Sequence, residues 1–205
     1  KADAFYVGFC NDTATLQGVQ TVVTDILCKD TYLFVDPIMG DNGRLYPVFD
    51  DGYVSAMKAV VRQADCITPN LTEACLLADV DYGEIVSHEN ELSYLKYCAD
   101  KFCGFLHRVG CKQAVITGVR CGNIIGNIVL DGSQTSFVTN ERTDVDFSGT
   151  GDAFGSVVLG ELLNGVSLKR AAVIAAQFVG NAAKLTERTD RRFGVDFCKL
   201  LDSLK

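Results

Sequence analysis

The chain has little of what many catalytic and metal chemistries require. Only two of its 205 residues are histidine, His88 and His107. Both lie in polar or amphipathic helical context, away from any candidate nucleophile. They read as solvated, and a Ser-His-Asp triad is not expected. The nine cysteines (Cys10, Cys28, Cys66, Cys75, Cys98, Cys103, Cys111, Cys121 and Cys198) are odd in number and contain no C-x-x-C pair. That pattern argues against a disulfide framework and against structural zinc. Most of them read as small apolar residues in a reducing cytoplasm. No apolar run approaches a membrane-spanning length, and no basic-then-apolar leader opens the sequence. The expectation is a cytoplasmic protein without a membrane partner. No G-x-x-x-x-G-K-[ST] occurs, which excludes a P-loop. No G-x-G-x-x-G follows a strand, which weakens a dinucleotide reading. The protein-kinase catalytic-loop and magnesium-loop motifs are absent too. Linkers, repeats and low-complexity segments are also missing, so one domain over residues 1–205 is expected.

What is present is ordinary for a globular chain: 48% hydrophobic and 22% charged residues. A chain of this length buries roughly 70% of its unfolded surface and needs no staple to fold. The net charge of −7 disfavours nonspecific nucleic-acid binding.

Short apolar strands alternate with helical patterns. Strands are expected at 4–7, 32–35, 66–68 and 114–117, each closed by Gly, Asp-Pro, Pro or Thr-Gly. Helical spacing covers 13–28, 53–63, 71–78, 90–109, 151–163, 168–186 and 195–204. Asn123 to Leu130 and Thr135 to Thr139 flank Asp131-Gly132-Ser133, a hairpin turn, so that pair is antiparallel. The pattern predicts an α/β fold: a mostly parallel sheet with helices on both faces and an antiparallel hairpin near 123–139. Ligands of such sheets bind at the carboxyl ends of strands, where Asp36, Thr68, Asn70 and Thr117 fall.

The most informative segment is Phe147-Ser148-Gly149-Thr150-Gly151-Asp152-Ala153-Phe154. Its glycines permit close backbone approach or positive φ. The apolar run that follows opens a helix, whose first N–H groups lack partners and favour an anion. A carboxylate beside an anion site makes sense if it takes a proton from an attacking hydroxyl. The segment thus suggests phosphoryl transfer to an alcohol; an ordinary helix start with Asp152 against the dipole would use the same residues. Asp36 at a buried strand end calls for a cation or a hydrogen-bonding network. Asp41-Asn42-Gly43 is turn chemistry. Asn70 with Glu73 reads either as a capping box or as a pair facing phosphates and Mg²⁺, partly through water. Thr117 is either a common strand-end residue or a phosphate contact.

Taken together, Val35-Asp36-Pro37-Ile38-Met39-Gly40-Asp41-Asn42-Gly43-Arg44-Leu45-Tyr46, Thr68-Pro69-Asn70-Leu71-Thr72-Glu73, Ile116-Thr117-Gly118 and Gly149-Thr150-Gly151-Asp152 resemble the ribokinase-like superfamily. Within it, they are most similar to the pyridoxal (vitamin B6) kinases. The Gly-Asp-Asn-Gly-x-Leu-Tyr continuation is the more specific part.

The resemblance implies transfer of the ATP γ-phosphoryl group to the 5′-hydroxymethyl of pyridoxal, pyridoxine or pyridoxamine. Asp152 would be the general base and Gly149, Thr150 and Gly151 the anion hole. Asp41, Asn70 and Thr117 would meet the nucleotide phosphates, with Asp41, Asn70 and Glu73 managing Mg²⁺. Asp36 and Thr68, with Thr117, would line a K⁺ or Na⁺ region. Phe9 would lie against the pyridine ring, and adenine between the loop before Phe147 and the 168–186 helix. A homodimer is implied as well. The resemblance also implies that the domain is incomplete at its N-terminus by roughly a quarter to a third, with an unpaired sheet edge there. A hydroxymethylpyrimidine kinase is the rival within the class. Asp152, where those enzymes often carry cysteine, and Gly40 to Gly43 count against it. A non-catalytic nucleotide- or vitamin-binding relative is the rival outside the class.

Overall fold

The computed structural model describes residues 2–89, 93–102, 104–141, 147–186 and 194–204. One six-stranded sheet organises them, in the order β1-β2-β5-β6-β7-β8. Strands β1 (Ala4–Val7), β2 (Tyr32–Val35), β5 (Cys66–Ile67) and β6 (Gln113–Cys121) run parallel. Strands β7 (Ile124–Asp131) and β8 (Gln134–Glu141) extend the sheet antiparallel from β6. A separate two-residue ribbon pairs β3 (Gly40–Asp41) with β4 (Arg44–Leu45).

Strand side chains alternate between two cores, as a period of two requires. Leu33, Val35, Ile67, Ala114 and Ile116 enter one core. It is filled from α1 (Thr13–Thr21), α2 (Asp51–Val61), α3 (Leu71–Ala78), α4 (Tyr82–Val86), α5 (Tyr94–Lys101) and α6 (Phe105–Val109). Phe34, Cys66, Val115, Val129 and Val138 enter the other, against α7 (Thr150–Leu163) and α8 (Leu168–Leu185). The expected sheet with helices on both faces is therefore present. No helix among the described residues is long and apolar enough to cross a membrane.

Local chemistry sets the helix starts. Asp12, Asp50, Asn70 and Asp81 each accept an N–H from the third residue on, capping α1, α2, α3 and α4. Burial places Cys10, Cys66, Cys75, Cys98 and Cys111 inside as free thiols. His107 is exposed on α6, whereas His88 lies in the turn after α4 with its ring 4.1 Å from that of Tyr97.

Several boundaries differ from the sequence reading. The stretch expected as one helix over 90–109 is two, α5 and α6, because Gly104 turns left-handed at φ 71°. Residues 90–92 and Cys103 lie outside the described residues. The helix expected over 13–28 is α-helical only to Thr21 and continues as a π-turn, Val22–Ile26. The strand expected to stop at Thr117 continues to Cys121 past a bulge between Ile116 and Val119. The last helix is a 3₁₀ segment, Cys198–Leu204. The short α4 and the β3–β4 ribbon were not anticipated as elements.

Candidate functional site

The carboxyl ends of β2 and β5 and the bulge of β6 at Thr117 and Gly118 meet the first turn of α7. Gly149 caps that helix with φ 77°, a left-handed conformation that its lack of a Cβ makes inexpensive. The first α7 hydrogen bond runs from the Ala153 N–H to the Gly149 carbonyl at 3.1 Å. The N–H groups of Thr150, Gly151 and Asp152 therefore precede the first intrahelical partner and form an electropositive tip.

Beneath this tip lies Asp36, 6% exposed. Its Oδ2 is 4.0 Å from where a Gly151 Cβ would stand. Burial, and then the charge of Asp152, push the Asp36 carboxyl up to about 7. Beside it, Thr68 Oγ1 is buried without a hydrogen-bond partner. A buried, unpartnered hydroxyl next to a buried carboxylate is costly unless a further group joins them. Such an oxygen-lined place suits a cation.

Asn70 and Glu73 form a complete capping box at the start of α3. Glu73 also accepts the Met39 N–H through Oε1 at 3.1 Å. The Asn70 side-chain amide donates to the Gly40 carbonyl at 2.8 Å. The pair thus joins the Thr-Pro-Asn turn to the β3–β4 ribbon. Burial pushes Glu73 up to about 8, although its backbone donors pull the other way. Asp41 sits at the ribbon's tip, where its two oxygens accept from the Asn42 backbone and side chain at 2.8 and 2.9 Å. Asn42 and Gly43 have φ values of 50° and 77°, the pattern of a two-residue hairpin turn. Thr117 donates its N–H to the Pro69 carbonyl at 2.8 Å and bridges to Asn70 in parallel register.

Two cavities flank the α7 tip. A cleft of about 290 Å³ is lined by Asp41, Thr117, Thr150 and Gly151, with Val179 and Gly180 of α8 at its far side. A second cavity, of about 640 Å³, is lined by Gly149, Asp152, Ser156, Phe178 and Phe197. The structure therefore gathers Asp41, Thr117, Thr150 and Gly151 around the smaller cleft and puts Gly149 and Asp152 on the wall of the larger cavity, on the other side of the same helix tip. Asp36 and Thr68 lie below, and Asn70 and Glu73 act as struts behind. Phe9 stands apart from both cavities, 59% exposed, with its ring 5.8 Å from that of Phe49.

Sequence reasoning missed Arg120, Asn127 and Asn140, which also line the smaller cleft. The strand was expected to end at Thr117, so nothing placed Arg120 there. Tyr6, read only as an apolar strand residue, donates its hydroxyl to Asp36 Oδ2 at 3.4 Å. Part of the loop before Phe147, expected to bound an adenine pocket, falls in 142–146, outside the described residues. No group of three or more His, Cys, Asp or Glu among the described residues is gathered to hold a metal ion. The arrangement can hold an oxyanion on the α7 N–H groups, with a carboxylate adjacent to take a proton.

Residues 1–195 match the phosphomethylpyrimidine kinase family. The pyridoxal kinase of Dictyostelium discoideum is 28% identical over 167 residues, 75% of this chain and 51% of that protein. The chain spans about half the length of the curated relatives it matches. The crystal structure of pyridoxal kinase from Lactobacillus plantarum superposes with a TM-score of 0.81 at 31% identity, covering 98% of this chain and 70% of that one. Pyridoxal kinase from Staphylococcus aureus, solved with AMP-PCP and pyridoxal, shares the fold. Its TM-score is 0.74 at 23% identity, over 95% of this chain and 67% of that one.

Proposed function

Because the chain belongs to the phosphomethylpyrimidine kinase family, with pyridoxal kinases of ribokinase-like fold among its relatives, we propose that it phosphorylates vitamin B6 vitamers with ATP. The acceptor is the 5′-hydroxymethyl group of pyridoxal, pyridoxine or pyridoxamine. One observation carries this reading: the α7 tip at Gly149 to Asp152 carries its own carboxylate and stands between a cleft of about 290 Å³ and a cavity of about 640 Å³. The Staphylococcus pyridoxal kinase was solved with both an ATP analogue and pyridoxal, which supports the same pair here.

In this mechanism the vitamer's alcohol oxygen attacks the γ-phosphorus. The bond from that phosphorus to the β,γ-bridging oxygen breaks, and ADP leaves. Asp152 accepts the alcohol proton as the new P–O bond forms. The N–H groups of Gly149 to Asp152 stabilise charge on the transferring oxygens, a task suited to preorganised donors. Thr117 donates to a phosphate oxygen from the opposite wall. Asp41, with Asn70 and Glu73 behind it through water, would hold Mg²⁺. Asp36, Thr68 and Thr117 would hold K⁺ or Na⁺. Bound there, such cations would neutralise phosphate charge and orient the leaving group. Phe9 faces the pyridine ring, and the cleft wall at Val179 and Gly180 takes the adenine. A cytoplasmic homodimer completes the proposal.

The test is a coupled assay of ADP release with pyridoxal and, separately, with hydroxymethylpyrimidine. The expected result is a kcat/KM for pyridoxal at least about tenfold higher. A preference for hydroxymethylpyrimidine would reverse the substrate assignment. Binding of Mg·ATP by calorimetry with no turnover on either alcohol would instead favour a non-catalytic relative.

A further inference from the structure

Tyr6 occupies a position that an apolar strand residue could fill without a hydroxyl. Its ring stacks on the fully buried Phe34, with centroids 5.3 Å apart and planes 20° apart. Phenylalanine would make the same stack. The hydroxyl nevertheless points inward, to Asp36 Oδ2 at 3.4 Å. Tyr6 is half-buried, and a hydroxyl turned inward without a partner would cost free energy.

The opposing helix is shaped to receive it. A Cβ at Gly155 would stand 2.8 Å from the Tyr6 hydroxyl oxygen, 3.4 Å from the Phe34 ring and 3.5 Å from Thr68 Oγ1. Gly155 lies three residues after Asp152, so both project from one face of α7. The notch at Gly155 thus lets the Tyr6 hydroxyl enter the layer between Asp36 and the helix that carries Asp152. The charges of Asp36 and Asp152 are both felt at the Tyr6 hydroxyl. Without the Tyr6 donor, the buried Asp36 carboxylate meets the charge of Asp152 with no hydroxyl to hold it and loses its fixed orientation.

We propose that Tyr6 is a positioning residue for phosphoryl transfer: its hydroxyl, admitted by the Gly155 notch, orients Asp36 beneath the α7 tip so that Asp152 faces the acceptor alcohol. This rests on the kinase reading above. Tyr6 touches neither substrate nor transferred group. It acts through Asp36, and the phenyl ring alone cannot replace it.

The experiment is a two-by-two comparison in the intact protein of Tyr6→Phe, Gly155→Ala and the double variant. Thermal melting and steady-state kinetics with pyridoxal and Mg·ATP are both recorded. Tyr6→Phe should melt within a few degrees of wild type, because the stack on Phe34 survives. Its kcat should fall about tenfold while KM for Mg·ATP changes less than about twofold. Gly155→Ala should lower the melting temperature in the wild-type background and lower it less with Phe at position 6. The double variant should regain stability without regaining kcat. An unchanged kcat in Tyr6→Phe overturns the positioning role, as does a loss confined to KM. An equal stability cost of Gly155→Ala in both backgrounds overturns the notch. A wild-type protein without turnover on any vitamer would instead overturn the kinase reading and this inference with it.

Discussion

Asn70 and Glu73 each hold the other's backbone. The Glu73 N–H donates to Asn70 Oδ1 at 3.0 Å, and the Asn70 N–H donates to Glu73 Oε2 at 2.8 Å. The same two side chains reach Gly40 and Met39, so one capping box fixes both α3 and the ribbon that presents Asp41. Asn70→Ala should therefore cost more than a simple cap. About 1–2 kcal/mol for the cap, plus about 1 kcal/mol for the lost bond to Gly40, is expected in chemical denaturation. In kinetics, KM for Mg·ATP should rise as the Asp41 turn loosens. Wild-type stability in this variant would show that the box contributes nothing.

The base assignment predicts a split between chemistry and binding. Asp152→Asn keeps the side chain's shape and removes its basicity. Its kcat should drop by about two orders of magnitude or more, with Mg·ATP affinity by calorimetry little changed. Asp152 is exposed at the helix tip, so folding should be unaffected. Turnover near wild type would remove Asp152 from the mechanism.

Gly149 isolates a backbone requirement from a steric one. A Cβ added there meets nothing within 4 Å, yet φ is 77°. Gly149→Ala should then destabilise by about 1 kcal/mol through strain alone. Relaxing that strain would turn the first α7 N–H groups away from the phosphate, so kcat should fall by more than the stability change implies. Retained kcat together with lost stability would show that the tip does not hold the transferring group.

Phe9 offers the opposite case, an exposed ring with a proposed ligand role. With 59% of its surface open, Phe9→Ala should leave the melting temperature nearly unchanged. KM for pyridoxal should rise about five- to tenfold, the scale of a lost aromatic contact of about 1–1.5 kcal/mol. KM for ATP should not move. Equal effects on both substrates would place the ring contact elsewhere.

Thiol reactivity should follow burial. Burial pushes the Cys98 thiol up to about 11, and those of Cys75 and Cys111 up to about 12, so little thiolate exists there near pH 8. Iodoacetamide at that pH should label the exposed Cys28 and Cys198 within minutes, as mapped by mass spectrometry. Cys10, Cys66, Cys75, Cys98 and Cys111 should react only on unfolding. Early labelling of Cys98 in the native protein would mean that the α5 face of the core opens.

Much of the site was legible because it rests on local rules. Asp36 and Thr68 could be placed just beyond β2 and β5 from apolar runs and the Pro that closes them, whereas Thr117, expected at a strand end, sits inside β6 at its bulge. The α7 start was legible from a glycine pair ahead of an apolar helix, and the capping box from Asn70 and Glu73 three residues apart. The double role of the box was not, because the bonds to Met39 and Gly40 span 34 and 30 residues. The break at Gly104 was visible as a glycine but outweighed by helical spacing on either side. Arg120 escaped notice because a bulge, set by pairing with β7, carries β6 beyond its apolar run.

The sequence by itself determined most of the strands and long helices, the faces they bury and the polar residues that follow β2 and β5. Periodicity, caps and turn residues act within a few positions of the chain. Only the tertiary structure decided which oxygens face one another: the Tyr6 hydroxyl against Asp36 across 30 residues, and the same hydroxyl and that of Thr68 against a notch at Gly155. Such meetings depend on how a helix seats on a sheet to within an ångström. Close packing of distant side chains fixes that distance, and no local pattern encodes it.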